Sequence, residues 1–458
     1  MTREGQARVA EEARVAEEAQ AAEEAQAAET EAAPASASAW TRAEQVARGS
    51  YGRLLAILAA RTGDIEVAED ALAAAFEQAL RTWPDAGVPQ NAEAWLLTVA
   101  RYRQRDVLKS ASHRKNVSLH EHVAGGQSPL AADVDVDAIP DERLALMFVC
   151  AHPAVDPGIR TPLMLQTVLG SEARQIARAF AVPSTTMAQR LVRAKRRIRN
   201  ARIPFVVPDR SQMPERMEAV LEAVYGAYAI DWWVVSGPTA RESLAAEAHY
   251  LAVTLAELLG DEPEALGLAA LLSLSLARAG ARGAAEGFVP LEEQDPALWD
   301  AELIGRGEAY LRRAHALGRV GRFQIEAAIQ SVHCARAVTG ATDWDALRKL
   351  YGALVSIAPT LGARVAFAAT VGRIEGPGAG LAALHEITDA ALRRFQPGWA
   401  TRAHLLAEAG RVEEARRAYA KAVSLTTEPG VRRYLEGRME SVERSGLTTG
   451  NRIPERRE

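Results

Sequence analysis

With 458 residues, 48% of them hydrophobic, the chain has material for two or three domains, each with its own core. Its two cysteines, Cys150 and Cys334, exclude a disulfide framework and point to a reducing compartment. The longest apolar stretches, such as Leu266–Leu276, are too short and too rich in Ala and Ser to span a bilayer, and no N-terminal run resembles a signal peptide, so a soluble cytoplasmic protein is expected.

The net charge of −5 hides an uneven distribution. Met1–Ala33 holds nine acidic and three basic residues, and Trp40–Phe205 holds 17 acidic and 22 basic ones. Between Ala173 and Pro208 there are nine Lys or Arg and no Asp or Glu. A basic module between acidic flanks is the electrostatic footprint of a surface that contacts phosphate.

In chain order, residues 9–29 repeat VAEEAR, VAEEAQ, AAEEAQ. A six-residue period advances a helix by about 240° per unit, so no fixed apolar stripe forms. Residues 1–39 are therefore expected to be an acidic tail, disordered or a frayed helix. Residues 40–112 read as a helical domain. Leu54, Leu55, Leu58 and Ala59 share one helix face, and Val67, Ala71, Leu72, Ala75, Phe76 and Ala79 share another. Trp83–Asn91 reads as a loop and Ala92–Lys109 as a further helix with Trp95, Leu96 and Val99 on one side. Residues 113–138, with Gly125–Gly126 and an acidic DVDVD run, read as a flexible linker.

Residues 139–202 form a second helical domain. Within it, QIARAFAVPSTTMAQRLVRAKRRIR at Gln175–Arg199 carries the strongest local signal. Ile176, Ala177 and Phe180 face inward on a first helix, Ala181–Val182–Pro183 is a turn, and Ser184 suits an N-cap. The second helix places Met187, Leu191, Ala194 and Ile198 on one stripe. Its other faces carry Ser184, Thr185, Thr186, Gln189, Arg190, Arg193, Lys195, Arg196 and Arg197. That division suits a DNA recognition helix. Short polar side chains near its start reach base edges, where Gln pairs with adenine and Arg with guanine, while the later cations hold phosphates.

The pattern IARAF-x-VP-x-x-TMAQRLVRAK-x-x-IR resembles region four of extracytoplasmic-function sigma factors, above all the subgroup with a C-terminal tetratricopeptide-like domain. The resemblance takes in Cys150–Ala151–His152–Pro153 after IPDERLALMF, Ile203–Pro204–Phe205, and DIEVAEDALAAAF and WLLTVARYRQRD in region two. It continues beyond residue 208 with LEEQDPALWDAELI and TDWDALRKLYGALVSIAP. It implies RNA polymerase core enzyme and promoter DNA as partners, and no cofactor, metal or catalytic activity of the chain's own.

In region two the resemblance assigns Trp95, Arg101, Tyr102, Arg103 and Arg105 to the minus-ten element, cations on phosphates and aromatics on unpaired bases. Trp95 also suits a core position, and Asp106 suits a cap or an ion pair. Asp64, Glu69 and Asp70 are the candidates for contact with the polymerase. The chain departs from the family where Ala73 and Ala74 replace Gln-Glu, where Tyr102 replaces Asn, and where Gly170–Gln175 replaces Gly-Leu-Thr-Thr-x-Glu. A DNA-binding or scaffold protein that has lost polymerase binding is the alternative these departures suggest.

Residues 203–214 read as a proline-rich linker, 215–445 as helix pairs broken by Gly and Pro, and 446–458 as a tail. Ala403–Leu425 resembles a tetratricopeptide helix pair, with Ala415 and Ala422 at a close crossing, Tyr419 bulky between them and Gly410 at the turn. That domain regulates in cis, binds a partner, or merely stabilises the chain. Tyr225, Tyr228, Trp232, Trp233 and Tyr250 line a pocket or fill a junction. Cys150 with His152, and His333 with Cys334, lack the spacing of a zinc site. The fold class expected throughout is all-α: two small helical domains, the second with the helix-turn-helix, and a C-terminal helical repeat.

Overall fold

The computed structural model describes residues 38–47, 49–112, 140–180, 182–209, 211–231, 244–284, 287–388 and 390–450. The predicted tail before residue 38, the linker 113–138, Ala181, Trp232, Trp233, Gly237–Pro238 and the final residues 451–458 lie outside them. The described chain is helical apart from one two-residue antiparallel pair, with Gly283 opposite Phe288 and Ala284 opposite Gly287. It divides into two compact units, Met1–Ala223 and Val224–Glu458.

In the N-terminal unit, residues 38–47 are helical and 49–62 form α1. Helices α2 (Ile65–Ala86) and α3 (Ala92–Ser112) follow. Leu54, Leu55, Leu58 and Ala59 are fully buried, as are Leu72, Ala75 and Ala79 on α2 and Leu96 on α3. These stripes bind the three helices into one core, since apolar area removed from water is the main favourable term. Gln104 on α3 donates to the Leu58 carbonyl at 3.2 Å, and Ser50 and Arg53 on α1 both bond Glu93 on α3. The predicted loop at Trp83 is corrected: α2 runs through Pro84 to Ala86, with Trp83 buried, and stops at Gly87 at φ 81°.

The second half of this unit holds α4 (Pro140–Cys150), α5 (Pro157–Thr167), α6 (Ala173–Ala179) and α7 (Ser184–Asn200). Asp156 caps α5 by accepting from Gly158 N at 2.8 Å, a common use of Asp before a helix. Gln175 reaches back to accept from Glu172 N at 3.1 Å and closes the start of α6. The division between units falls within α8 (Pro214–Asp231).

The C-terminal unit is built around α10 (Pro263–Leu276), which is apolar on every face and buried along almost its whole length. A helix hydrophobic all round belongs at the centre of a core, so the run Leu266–Leu276 is a core helix. It packs against α9 (Leu244–Leu258), α12 (Ala301–Ala316) and α13 (Arg322–Cys334). The short α11 (Ala279–Arg282) leads into the strand pair. Beyond α14 (Arg336–Thr339), the helices α15 (Trp344–Ile357), α16 (Leu361–Glu375), α17 (Pro377–His385), α18 (Gln396–Glu408), α19 (Val412–Leu425) and α20 (Pro429–Gly450) each pack on the next. Ala403, Leu406, Ala415, Ala418, Tyr419 and Ala422 form one core with Val431 and Leu435. Gly410 makes the α18–α19 turn at φ 71°, a left-handed conformation that glycine adopts without strain.

Of the predicted aromatic group, Trp232 and Trp233 lie outside the described residues. Tyr228 is buried, Tyr225 lies 5.6 Å from Phe323 ring to ring, and Tyr250 is exposed.

Candidate nucleic-acid interface

The turn between α6 and α7 is closed by Val182 N donating to the Ala177 carbonyl at 2.9 Å. Pro183, with φ −57° and ψ 138°, takes the N-cap position, so Ser184 is the first residue of α7 and not its cap as expected. Proline ends one helix because it has no N–H to donate, and its fixed φ suits the entry to the next. Met187, Leu191, Ala194 and Ile198 are buried against the rest of the domain together with Ile176 and Ala177. Phe180, expected to face inward, is 40% exposed. Helix α6 ends at Ala179, and Phe180 turns off at φ −92°, ψ 5°, leaving the stripe that periodicity assigns it to.

The free face of α7 presents Ser184, Thr185, Gln189, Arg190, Arg193, Arg196 and Arg197 to solvent, with Thr186 half-buried. Arg190, Arg193 and Arg197 line a cavity of about 450 Å³ whose far wall is Ala154–Ile159, including the start of α5. Arg197 donates to the Ala154 carbonyl at 3.2 Å. Asp156 already caps that helix start and lines the cavity, so Arg190, Arg193 and Arg197 are the groups that offer charge-assisted hydrogen bonds to an anion of phosphate size.

Lys195 departs from its prediction. It is 7% exposed, and its Nζ lies 2.5 and 2.7 Å from the two carboxylate oxygens of Glu69 on α2. Arg199 Nη1 sits 2.7 Å from Glu66 Oε2 and 3.4 Å from Asp64 Oδ2, and Arg196 Nε lies 3.6 Å from Glu66 Oε1. Of the three predicted polymerase-contact carboxylates, two are thus engaged by α7. Asp64 also caps α2, accepting from Glu66 N and Val67 N at 3.0 and 3.3 Å; Asp70 is exposed. Burial outweighs the Lys195 ammonium and pushes the Glu69 carboxyl above the usual range. Sequence reasoning missed Glu66 and Arg199. Glu66 lies three residues before Glu69 and Arg199 four after Lys195, both helical spacings, but nothing local pairs two helices so far apart in the chain.

On α3, Trp95 is half-buried and meets Trp83 edge to face, with ring centroids 5.5 Å apart. Arg105 stacks over the Tyr102 ring at 4.7 Å. Arg101 and Arg103 each have a buried Nε with no hydrogen-bond partner. Burial, with the like charge of Arg61, lowers the Arg101 pKa. Cations crowded in this way gain when an anion approaches.

The Cys–His pairs bond elsewhere. Cys150 Sγ lies 3.5 Å from Thr167 Oγ1, and burial pushes its thiol up to about 12. His152 Nδ1 accepts from Ala154 N at 3.0 Å and shapes the loop before α5. Cys334 contacts the Leu274 carbonyl at 3.7 Å. Among the described residues no group of three His, Cys, Asp or Glu is placed to hold a metal ion, and no described helix is long and apolar enough to cross a membrane.

Comparison with known proteins bears on this arrangement. Residues 47–114 match the family described as Sigma-70 region 2, and residues 216–315 match a family of unknown function, DUF6596. The uncharacterized protein R00370 of Rhizobium meliloti (strain 1021) is 35% identical over 377 residues, 81% of this chain and 89% of that protein. The probable ECF RNA polymerase sigma factor SigI of Mycobacterium tuberculosis is 32% identical over 147 residues, 31% of this chain and 49% of that protein. The match therefore spans about half the length of SigI. No solved structure matches.

Proposed function

From a chain that belongs to one family with the Rhizobium meliloti protein and carries a Sigma-70 region 2 domain, we propose a sigma factor of the extracytoplasmic-function type, which directs RNA polymerase core enzyme to specific promoters. The observation that carries this reading is the pairing, in one compact unit, of that domain with a helix-turn-helix whose second helix keeps an apolar stripe inside and a polar, cationic face outside. Gln189 and Arg190 are the base-reading side chains of α7, and Arg193, Arg196 and Arg197 hold the backbone. On α3, Arg101, Tyr102, Arg103 and Arg105 engage the melted strand, with Tyr102 and Trp95 offering ring faces to bases.

The phosphodiester chemistry belongs to the polymerase, and no catalytic step is assigned to this chain. The C-terminal unit is a tetratricopeptide-like array that acts on the first unit in cis or receives a protein partner. Its small-residue crossing at Ala415 and Ala422 supports the repeat assignment.

A second reading, a DNA-binding or scaffold protein without polymerase affinity, is favoured by one feature. Ala73, where the family carries a polar residue, is exposed on α2. Gel filtration of the full chain with bacterial core enzyme separates the two. Co-elution is expected at moderate salt, and elution of the two proteins apart would leave the second reading. Binding of DNA by the holoenzyme then tests α7. Arg190→Ala is expected to reduce discrimination between promoter and random DNA about tenfold or more, the size of one good base contact. Unchanged discrimination would remove Arg190 from base reading.

A further inference from the structure

The contact between α2 and α7 joins two surfaces that the proposed function needs free. Lys195 stands on the recognition helix, yet its ammonium is buried on both oxygens of Glu69, with Arg199 and Arg196 adding pairs to Asp64 and Glu66 at the rim. A second contact lies away from the charges. Gly52 on α1 lies directly against the Val168 carbonyl after α5, so close that a β-carbon on Gly52 would overlap it. The two halves of the unit thus meet at a steric seat and at an ionic cluster, each specific in geometry.

We infer that the N-terminal unit has a closed, self-occupied state in which Lys195, Arg196 and Arg199 cover the α2 carboxylates that the polymerase takes when it binds. The identity of that competitor rests on the sigma-factor reading above. The chemistry supports reversibility. Carboxylates paired with side chains of the same chain give equal pairing to a cationic surface on another protein, so opening exchanges one set of ion pairs for another. The rim pairs are exposed and weak. The Lys195–Glu69 pair is the most enclosed of them, with side chains 7% and 22% exposed, and opening returns both groups to water. A partner that supplies cations to the freed carboxylates therefore shifts the balance toward the open state.

The test uses the full chain with fluorophores at Ala86→Cys on α2 and Val192→Cys on α7. Both positions are exposed, while Cys150 and Cys334 are buried. Energy transfer reports closure, and core polymerase affinity is measured on the same preparations. Lys195→Glu with Arg199→Glu is expected to lower transfer and to tighten core binding at least tenfold. Adding Glu69→Lys and Glu66→Arg to that pair is expected to restore transfer, which a merely misfolded variant would not do. Gly52→Leu, which wedges the steric seat with every charge intact, is expected to open the unit as well.

Equal transfer in wild type and in both opening variants would overturn the closed state. Lower transfer with unchanged core affinity would overturn its regulatory role. Opening by both routes, with no core binding by any form, would uphold the closed state and remove the polymerase reading.

Discussion

The two units hold their helices together by different means. In the N-terminal unit, α2 and α7 meet through carboxylates and cations, with one lysine buried on one glutamate. In the C-terminal unit, α10 and α13 meet through backbone. A β-carbon on Gly267 would lie 2.7 Å from Gln324 N and 2.9 Å from Gln324 Cγ, and Glu264 caps α13 from the start of α10, accepting from Phe323 N at 2.8 Å. Charge contacts are exchangeable, because a new partner can satisfy the same groups. Close-packed backbone is not, because interiors of that density have no intermediate arrangement. The difference suits the proposed function, in which the first unit opens onto DNA and polymerase and the second keeps its shape.

The largest expected effect breaks the packed side of this comparison. Gly267→Val forces α10 from α13 and is expected to destabilise the C-terminal unit by ~3 kcal/mol, read from urea unfolding of the full chain. A loss well under 1 kcal/mol would show that the helices separate easily, and the contrast would fail. On the charged side, Lys195→Met strands Glu69 and is expected to lower the stability of the N-terminal unit by about 2 kcal/mol. That is below the range for a fully buried pair, because Glu69 keeps some exposure and takes up a proton instead. The double variant Lys195→Met, Glu69→Leu is expected to recover most of the loss, by the logic of a double-mutant cycle. If the single and double variants are equally destabilised, the pairing is not the source.

Acid is expected to act on the two units through different groups. Burial, with Arg278 and Arg336 nearby, holds the His333 pKa down at about 3; burial and Arg306 hold His249 at about 4. Both therefore bind fewer protons folded than unfolded below the ordinary histidine pKa. Their contribution to stability is complete above that value and is lost progressively as pH falls toward 3. For His333 this reaches ~2 kcal/mol by pH 5. Glu69, raised instead, costs stability at neutral pH and releases that cost as pH falls through its folded pKa. Hydrogen exchange at pH 7 and pH 5, corrected for intrinsic rates, checks this. Slower opening of α10 and α13 at pH 5 would contradict it. The smallest effect is that of salt. Raising ionic strength from 0.1 to 1 M is expected to weaken the exposed Arg196 and Arg199 pairs slightly and to leave α10–α13 unmoved.

Much of the architecture was legible because it is local. Met187, Leu191, Ala194 and Ile198 sit at helical spacing and are buried as that spacing requires. Tyr419, Ala415 and Ala422 behave likewise. The run Leu266–Leu276 reads as too short and too rich in Ala and Ser for a membrane span, but its place at the centre of a core needed the neighbours that surround it. Trp83–Asn91 reads as a loop, yet Pro84 sits near the end of α2, where Trp83 is anchored in the core and Gly87 provides the stop. Lys195 shows the limit most clearly. Helical periodicity places it next to the buried stripe, and only the fold brings Glu69 to its ammonium from the other half of the unit.

The central claim is promoter-directed initiation. Purified core polymerase with the full chain is offered a pool of random double-stranded templates, and transcripts are sequenced at their 5′ ends. Starts are predicted to converge on a shared pair of upstream sequence elements, and the upstream element is predicted to blur with Arg190→Ala. Starts that are as scattered with the chain as with core enzyme alone would contradict the account.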